Sequence, residues 1–592
     1  MSGPRRSALG RWLPWAVLAA AFAANLLRCT RSFCWADESF YLAIAHRFWL
    51  GELPFVDEWY HAQVYVVLLM PFYSLYRALF GSAQGVYLAA RLVFVCLSGA
   101  ASAFVYTTLK KREGRAAALA AALLCLFYSR ANIEGLSYYN LSLLFCAVGA
   151  AALYRAFGRA DGGALLHCFF AGACMALAVV CSPFFALLWA VMALLPLPRF
   201  ARWRRAAACF LLGTAASACC YLAWLLARVS PAQILEMLPY VLSTPEANVR
   251  SLKTLLMAFA LPAYQFRYTL PLWGGALVWA AWRVLVRRRP FAAREAVLPA
   301  GLSLAALAAN LLLCGRMPGR PHAALCLTAL CLFLLLPAGR RPMRCFWCFG
   351  LPGAVLAVSW QLSSDTRFSA MTIGFALASI WAAVTAARFA GWLRAELCGP
   401  AGWQDTPRRG AKARLLRALP MLCLVLCLAG PVLAAAVQRM VLVYRDDPIQ
   451  LCTTRIEAGP ARGLYTSAEN ARLYREVYEV LAALPDGSGP LYLSSLLPWG
   501  YLVNDLRCGA PGSWRTPLDH VQLPDYYRVN PQNFPRTVLV LDAGYGRYRS
   551  TVEGTEEPCP NANVTEGWFL NELAARGYRC TRTPCGLLYQ AP

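Results

Sequence analysis

The chain has 592 residues, of which 59% are hydrophobic and only 15% are charged, and its mean hydropathy is positive. This composition excludes an ordinary soluble domain and predicts an integral membrane protein with many spans. The net charge of +26 is concentrated in residues 1–437, which contain 41 Lys and Arg against 14 Asp and Glu, whereas residues 438–592 contain 15 against 16. Basic clusters between apolar runs are typical of cytoplasmic loops, so we expect no nucleic-acid partner.

Apolar runs flanked by charged residues predict about thirteen transmembrane helices, because about 20 apolar residues are needed to cross a bilayer. These runs are residues 12–29, 86–108, 116–132, 138–155, 164–181, 183–198, 206–227, 267–286, 296–313, 322–338, 345–362, 368–387 and 415–437. With a cytoplasmic amino terminus, every basic cluster between them falls on the cytoplasmic side. The residues after 437 then lie outside the cytoplasm, and we expect a multi-pass protein of the plasma or inner membrane.

Two segments admit more than one interpretation. Residues 63–80 are apolar enough to cross, but a crossing there would place Lys110, Lys111 and Arg112 outside. We therefore predict a helix that lies in the outer leaflet and is broken at Pro71. The first apolar run also resembles a signal peptide, but we favour an uncleaved anchor, since Asp37 would otherwise not be fixed at the membrane surface.

The loop after the first predicted helix concentrates acidic side chains. Of the 14 acidic residues before residue 438, five lie between Asp37 and Glu58. Such a loop can be a solvated connector with interfacial aromatic residues. Alternatively, Asp37 is a general base that takes a proton from an acceptor hydroxyl at the membrane surface.

Basic residues in the predicted outer loops support the second interpretation. They contradict the prevailing charge asymmetry, as expected of ligands for a membrane-embedded phosphate, although each one alone could extend to lipid headgroups. These residues are Arg250, Lys253, Arg267, Arg316 and Arg320. A carboxylate and a phosphate clamp on one face imply a reaction on a lipid-linked phosphate. The sequence has no Walker loop and no His-Glu-x-x-His, so no soluble nucleotide donor is implied.

The first loop and the start of the next predicted helix carry a set of spaced motifs: Asp37-Glu38-x-x-Tyr41-x-x-Ile44-Ala45, Gly51-Glu52, Leu79-Phe80-Gly81 and Ala90-Arg91-Leu92. These motifs resemble the first outer loop of GT-C glycosyltransferases, most of all the branch of protein O-mannosyltransferases and the lipid A aminoarabinose transferase (glycosyltransferase family 39). The resemblance implies a GT-C fold and an inverting transfer of a hexose or pentose from a polyprenyl-phosphate donor to an envelope glycan, lipid or protein. Asp37 would be catalytic, with Glu38 beside it.

The same resemblance suggests further contacts with substrate. Glu58 corresponds to the first residue of a Glu-Lys-Pro-Pro element whose Lys and prolines are absent here, so the donor sugar stays open. We also expect Tyr41, His61 and Glu134 to line the cleft. No cofactor is required, because the lipid-phosphate sugar is a substrate. Asp37 and Glu38 could hold a divalent ion, as in the oligosaccharyltransferase branch, but their spacing resembles the metal-independent branch more closely.

From Tyr444 onward the composition becomes that of a soluble domain. Helices at 467–484 and 566–576 and strands at 490–494, 537–542 and 577–590 predict an external α/β domain, with a boundary after residue 437.

One alternative function is a transporter or flippase of lipid-linked sugars, which would need ionisable residues at mid-span and internal repeats. Another is an inactive GT-C scaffold. The Ala-, Arg- and Leu-rich usage, with four lysines, indicates a bacterial source.

Overall fold

The structure is a computed structural model that contains a bundle of apolar helices followed by a smaller region with a mixed sheet. It describes residues 8–157, 159, 161–200, 202–243, 260, 263–283, 292–313, 317–363, 368–398, 411–494, 496–514, 517–542, 545, 548–549, 556–557 and 567–592.

Nine helices in the described ranges are long and apolar enough to cross a membrane. They are Gln63–Phe80, Val86–Leu109, Tyr138–Ala156, Gly162–Cys181, Trp203–Leu226, Ala293–Leu312, Met343–Ser363, Phe368–Leu397 and Ala418–Val441. Five shorter apolar helices are Trp12–Arg28, Arg115–Leu126, Pro183–Arg199, Leu270–Trp282 and Arg320–Leu335. Each sequence-predicted span corresponds to one of these helices, so the polytopic helical fold is confirmed, while the number of crossings stays a prediction.

One predicted span has the wrong end. The expected helix at 116–132 ends at Leu126, and residues 130–132 form a separate turn. Ser129 is extended, with φ of −148° and ψ of 149°, and Ala131 and Asn132 have φ of 50° and 64°, so none of the three can continue a right-handed helix. Arg130 therefore lies in a loop beyond the end of the helix, where its side chain can take part in a site.

The two ends of the bundle differ in charge. At one end the basic loops meet: Arg112 Nη1 donates to the Phe157 carbonyl at 3.3 Å, and the Arg344 guanidinium lies 4.7 Å from the Phe157 ring. At the other end the first loop meets the C-terminal region, where the Trp59 amide donates to the Pro511 carbonyl at 2.6 Å. This separation is what the predicted orientation requires. The assignment of either end to the cytoplasm stays a prediction.

The first loop contains two helical segments, Phe40–Trp49 and Gln63–Phe80. The second is interrupted by a 3₁₀ turn before Pro71, which lies in the first turn of the next α-helix, where a missing N–H costs nothing. Tyr73 hydrogen-bonds to His46 at 2.8 Å, so this helix packs along the first loop. Its in-plane orientation stays a prediction.

The C-terminal region is built on a four-stranded sheet in the order Leu491–Ser494, Thr537–Leu541, Gly586–Gln590 and Arg579–Thr583. The first pair is parallel and the other two pairs are antiparallel. Helices Ala468–Ala482, Leu523–Val529 and Trp568–Ala575 accompany it, and two-residue strands pair at 454–455 with 465–466 and at 548–549 with 556–557. The predicted α/β elements of the tail are confirmed.

The C-terminal region and the first loop share one apolar core. Phe33 and Trp35 make edge contacts with Trp499 at ring distances of 6.2 and 5.4 Å. Helix Pro231–Leu242, which the sequence analysis did not predict, also joins this contact, because its Tyr240 stacks on Trp59 at 4.6 Å. The acidic loop is thus held between the helical bundle and the C-terminal region.

Candidate active site

Asp37 lies in the turn that precedes helix Phe40–Trp49, and its side chain is 11% exposed. Arg445 Nη1 is 2.8 Å from Asp37 Oδ2. No hydrogen bond to the Asp37 carboxylate is formed by any residue that the structure describes, so this ion pair is its polar contact. Arg445 has φ of 55°, which is uncommon for a residue other than glycine and is a form of strain concentrated at functional sites.

A second arginine approaches from the turn at 130–132. Arg130 is 2% exposed, and its guanidinium lies over the rings of Tyr139 at 4.5 Å and Tyr444 at 5.9 Å. Its Nε and Nη2 donate no hydrogen bond to any described residue. Asp37 is close enough to act on this guanidinium electrostatically. Two cationic side chains, from different loops, therefore share the surroundings of one carboxylate.

Aromatic side chains surround the Asp37 and Arg445 pair. The half-buried Trp514 lies 5.9 Å from the Arg445 guanidinium and 4.6 Å from the ring of Phe40. Tyr41 packs on Phe40 at 3.9 Å. Burial raises the pKa of Tyr41, and the Asp37 carboxylate adds to that shift, so Tyr41 lies beside the candidate base as a neutral hydroxyl.

Glu38 has a different environment from its neighbour Asp37. Arg91 contacts Glu38 Oε2 through Nε and Nη2, both at 2.7 Å, and Glu38 Oε1 accepts from the Glu134 amide at 2.7 Å. Arg91 Nη1 also donates to the carbonyls of Cys29 and Ser32. Both oxygens of Glu38 are therefore engaged in holding the first loop to the second loop, residues 127–137, and to helix Val86–Leu109.

Glu134 belongs to the same buried network. Its Oε1 lies 3.2 Å from Arg28 Nη1 and 3.7 Å from Arg439 Nη1. Arg439 in turn donates to Ser129 Oγ at 2.6 Å and to Asn132 Oδ1 at 2.9 Å. The network joins helix Ala8–Arg28, the second loop and the last helix of the bundle, Gly430–Val441, and it fixes the turn that carries Arg130.

Glu58 lies in a third buried cluster, which joins the first loop to the C-terminal region. Arg47 donates to Glu52 at 2.6 Å and to Glu58 at 2.7 Å, and Ser513 Oγ donates to Glu58 at 3.1 Å. The Cys508 amide donates to Glu52 at 2.8 Å. Burial raises the pKa of Glu58 to about 7, against the opposing effects of Arg47 and of the hydrogen bonds from Tyr60 and Ser513.

The other predicted contacts lie elsewhere. His61 is exposed, with its ring 4.4 Å from Tyr60. Arg267 is exposed and stacks on Tyr264 at 4.0 Å, and Arg320 donates to the Gln265 carbonyl at 2.9 Å. Arg250, Lys253 and Arg316 lie outside the described residues. The structure thus gathers Asp37, Glu38, Tyr41 and Glu134 in one connected region, whereas Arg267 and Arg320 have contacts of their own.

Sequence reasoning missed Arg130 and Arg445. Arg130 fell inside a predicted span, and Arg445 lies eight residues after the end of the last one, at 437. The charge asymmetry that singled out the other arginines could have found them, because both lie beyond helix ends that the sequence assigns to the outer side, where few basic residues are expected.

Metal binding was tested against the side chains present. Within the described ranges, no group of three or more His, Cys, Asp or Glu is placed to hold a metal ion. Asp37 and Glu38, the adjacent pair considered for a divalent ion, each face a guanidinium, of Arg445 and Arg91 respectively. These residues as placed do not fit a metal, and the expectation that no cofactor is required stays a prediction.

No family model and no curated protein sequence matches the chain. Its fold is similar to those of solved GT-C glycosyltransferases. ArnT from Cupriavidus metallidurans, solved with undecaprenyl phosphate, is 13% identical, with a TM-score of 0.47 and 98% of both chains covered. The oligosaccharyltransferase AglB from Archaeoglobus fulgidus, in complex with an inhibitory peptide and a dolichol-phosphate, is 12% identical, with a TM-score of 0.43, covering 99% of this chain and 75% of AglB.

A further structure of the Archaeoglobus fulgidus oligosaccharyltransferase, tethered to an acceptor peptide, is 12% identical, with a TM-score of 0.42, covering 90% of this chain and 69% of that chain. Because identities and TM-scores are low, the chemistry must be argued from the residues of this chain.

Proposed function

We propose that the protein is a membrane glycosyltransferase that transfers a sugar from a polyprenyl-phosphate donor to an acceptor outside the cytoplasm, with Asp37 as the general base. One observation carries this proposal. Of the five acidic residues in the first loop, Asp37 is the one whose carboxylate accepts no hydrogen bond from the described chain, whereas Glu38, Glu52, Asp57 and Glu58 each accept at least one.

This difference matters because a general base must have an oxygen available for the proton that it takes. Glu38 and Glu58 lack that capacity, since their hydrogen bonds and ion pairs hold the loop in place. We propose instead that Glu38, Glu58 and Glu134 position Asp37. This positioning role takes the place of the direct contact with substrate that the sequence predicted for them.

The proposed reaction is a single displacement. The acceptor hydroxyl attacks the anomeric carbon of the donor while Asp37 takes its proton. The bond between that carbon and the phosphate oxygen breaks, and the phosphate leaves with the electron pair, which inverts the anomeric centre. Negative charge grows on the leaving phosphate, so the neighbouring Arg445 guanidinium favours the transition state over the bound donor.

The partners follow from this chemistry. Undecaprenyl phosphate, which is bound in the ArnT structure, and dolichol-phosphate, which is bound in the AglB structure, belong to the class of lipid carrier proposed for the donor here. The acceptor is an envelope glycan, lipid or protein. Both meet at the end of the bundle that carries the first loop and the C-terminal region, which we assign to the outer face of a bacterial plasma membrane.

The test is a transfer assay with purified protein, a panel of radiolabelled undecaprenyl-phosphate sugars and an envelope extract as acceptor. We expect Asp37→Asn to lower the rate about 10²- to 10⁴-fold, the usual contribution of general-base catalysis. Asp542→Asn is the matched control, because Asp542 is a half-exposed carboxylate of the C-terminal sheet that pairs with Arg582. Undiminished transfer by Asp37→Asn would exclude the proposed mechanism.

A further inference from the structure

We infer that Arg130 and Arg445 bind the phosphate of the lipid-linked donor, and that Arg445 moves from Asp37 to that phosphate when the donor binds. The inference rests on the proposed function and deepens it. It also replaces the phosphate ligands expected from the sequence with two arginines that lie around Asp37.

The first observation is that Arg130 lacks a counter-ion. The other buried arginines around the first loop lie within ion-pair distance of a carboxylate: Arg28 of Glu134 at 3.2 Å, Arg47 of Glu52 at 2.6 Å, Arg91 of Glu38 at 2.7 Å and Arg439 of Glu134 at 3.7 Å. For Arg130, 2% exposed, the described chain offers no carboxylate within that distance and no acceptor for Nε or Nη2. A buried guanidinium without an anion is costly, so the site is complete only when an anion binds.

The second observation is the set of N–H groups that Arg130 can offer. Its guanidinium carbon lies over the Tyr139 ring, 4.5 Å from the ring centre. The N–H groups of a guanidinium are arranged as a fork that fits two oxygens of one phosphate. The two nitrogens without an acceptor, Nε and Nη2, are two such donors.

The third observation is that Arg130 and Arg445 both lie near the ring of Tyr444. Tyr444 lies 5.9 Å from the Arg130 guanidinium and 5.3 Å from the Arg445 guanidinium. The three charged groups Arg130, Arg445 and Asp37 sum to one positive charge. A sugar phosphodiester, which carries one negative charge, neutralises that sum, and the departing phosphate monoester, which carries more, is bound more strongly.

Movement of Arg445 couples donor binding to the base. Without donor, Arg445 Nη1 lies 2.8 Å from Asp37 Oδ2 and occupies the place that an acceptor hydroxyl needs. When phosphate draws Arg445 away, that oxygen is open to the hydroxyl. The carboxylate is therefore accessible to the acceptor when a donor is present.

Binding of undecaprenyl phosphate to the purified full-length protein in detergent, measured by native mass spectrometry, tests the site. We expect Arg130→Gln and Arg445→Gln each to raise the Kd about 10- to 100-fold, as expected for loss of a charge-assisted hydrogen bond. Arg130→Lys, which keeps the charge but not the fork, should bind with intermediate affinity. Arg228→Gln is the control, because Arg228 is an exposed arginine that stacks on Trp224 at 4.0 Å.

Three ligands identify what is recognised. Undecaprenyl phosphate should bind far more tightly than undecaprenol, and competition by inorganic phosphate would show that the phosphate group is sufficient. Equal binding of undecaprenol would overturn the inference, because the lipid chain alone would then account for affinity. Arg445→Gln provides a second test of the site if Arg130→Gln fails to fold.

Asp37→Asn tests the coupling. With a neutral side chain at position 37, Arg445 is no longer held, so this variant should bind undecaprenyl phosphate several-fold more tightly while it loses transfer. Unchanged affinity in both arginine→Gln variants, together with loss of transfer in Asp37→Asn, would overturn the phosphate site and leave the proposed function standing. Normal transfer by Asp37→Asn would instead overturn the proposed function.

Discussion

Asp37 and Glu38 are adjacent in the chain, but the protein uses their carboxylates differently. Glu38 is bound by Arg91 and by a backbone amide, and Glu58 at the other end of the loop is bound by Arg47, a serine and a backbone amide. Asp37 has one ion pair and no hydrogen bond within the described structure. Four acidic side chains of the first loop therefore stabilise its conformation through hydrogen bonds and ion pairs. The fifth, Asp37, has no such hydrogen bond and can accept a proton from a substrate.

The largest effect that separates these two roles is expected at Glu38. Glu38→Gln leaves Arg91 buried without a counter-ion and should lower the free energy of unfolding by about 3–5 kcal/mol. Thermal unfolding of the purified protein in detergent measures it. The double variant Glu38→Gln with Arg91→Met should recover part of the loss, since it removes the unpaired charge. If Glu38→Gln were as stable as Asp37→Asn, the distinction between the two acids would be wrong.

A pH-dependent effect of similar size is expected at Glu58. Its pKa rises from 4.5 to about 7 on folding, mainly through burial, so the folded protein holds this proton more tightly than the unfolded chain. The contribution of Glu58 to stability therefore falls as pH rises from about 4.5 to about 7, by about 3 kcal/mol in all. Unfolding temperatures measured across this range should decline more steeply for the wild type than for Glu58→Gln. Parallel profiles would contradict the assignment.

The smallest effect is expected at the outer contact between the first loop and the C-terminal region. Arg77 donates to both oxygens of Asp505 at 3.0 and 2.8 Å, but the Asp505 side chain is 53% exposed. The Arg77 side chain is 4% exposed, but the Asp505 carboxylate lies half in water and Asn keeps one acceptor oxygen, so Asp505→Asn should lower the free energy of unfolding by about 1–2 kcal/mol. Unfolding in detergent at low and high salt measures this change. A loss as large as that of Glu38→Gln would mean that exposure does not separate the two kinds of contact.

The helices and the C-terminal elements could be predicted because apolar runs and short alternating segments are local signals. Asp37 could be located for the same reason, since acids are scarce elsewhere in the apolar part. The roles of Glu38 and Glu58 could not be predicted, because their partners Arg91 and Ser513 lie 53 and 455 residues further along the chain. Arg130 was hidden because the apolar run continues past Leu126, where the helix ends, and neither Ser129 nor the left-handed residues Ala131 and Asn132 carry a glycine signal.

The central claim is that a lipid-linked phosphate reaches Asp37 at the end of the bundle that carries the acidic loop. A structure of the purified protein with bound undecaprenyl phosphate, determined by electron cryo-microscopy, tests it most directly. The account predicts a phosphate within about 3 Å of the Arg445 guanidinium and beside the Asp37 carboxylate. A phosphate bound at the opposite end of the bundle, among the basic loops of Arg112 and Arg344, would contradict it.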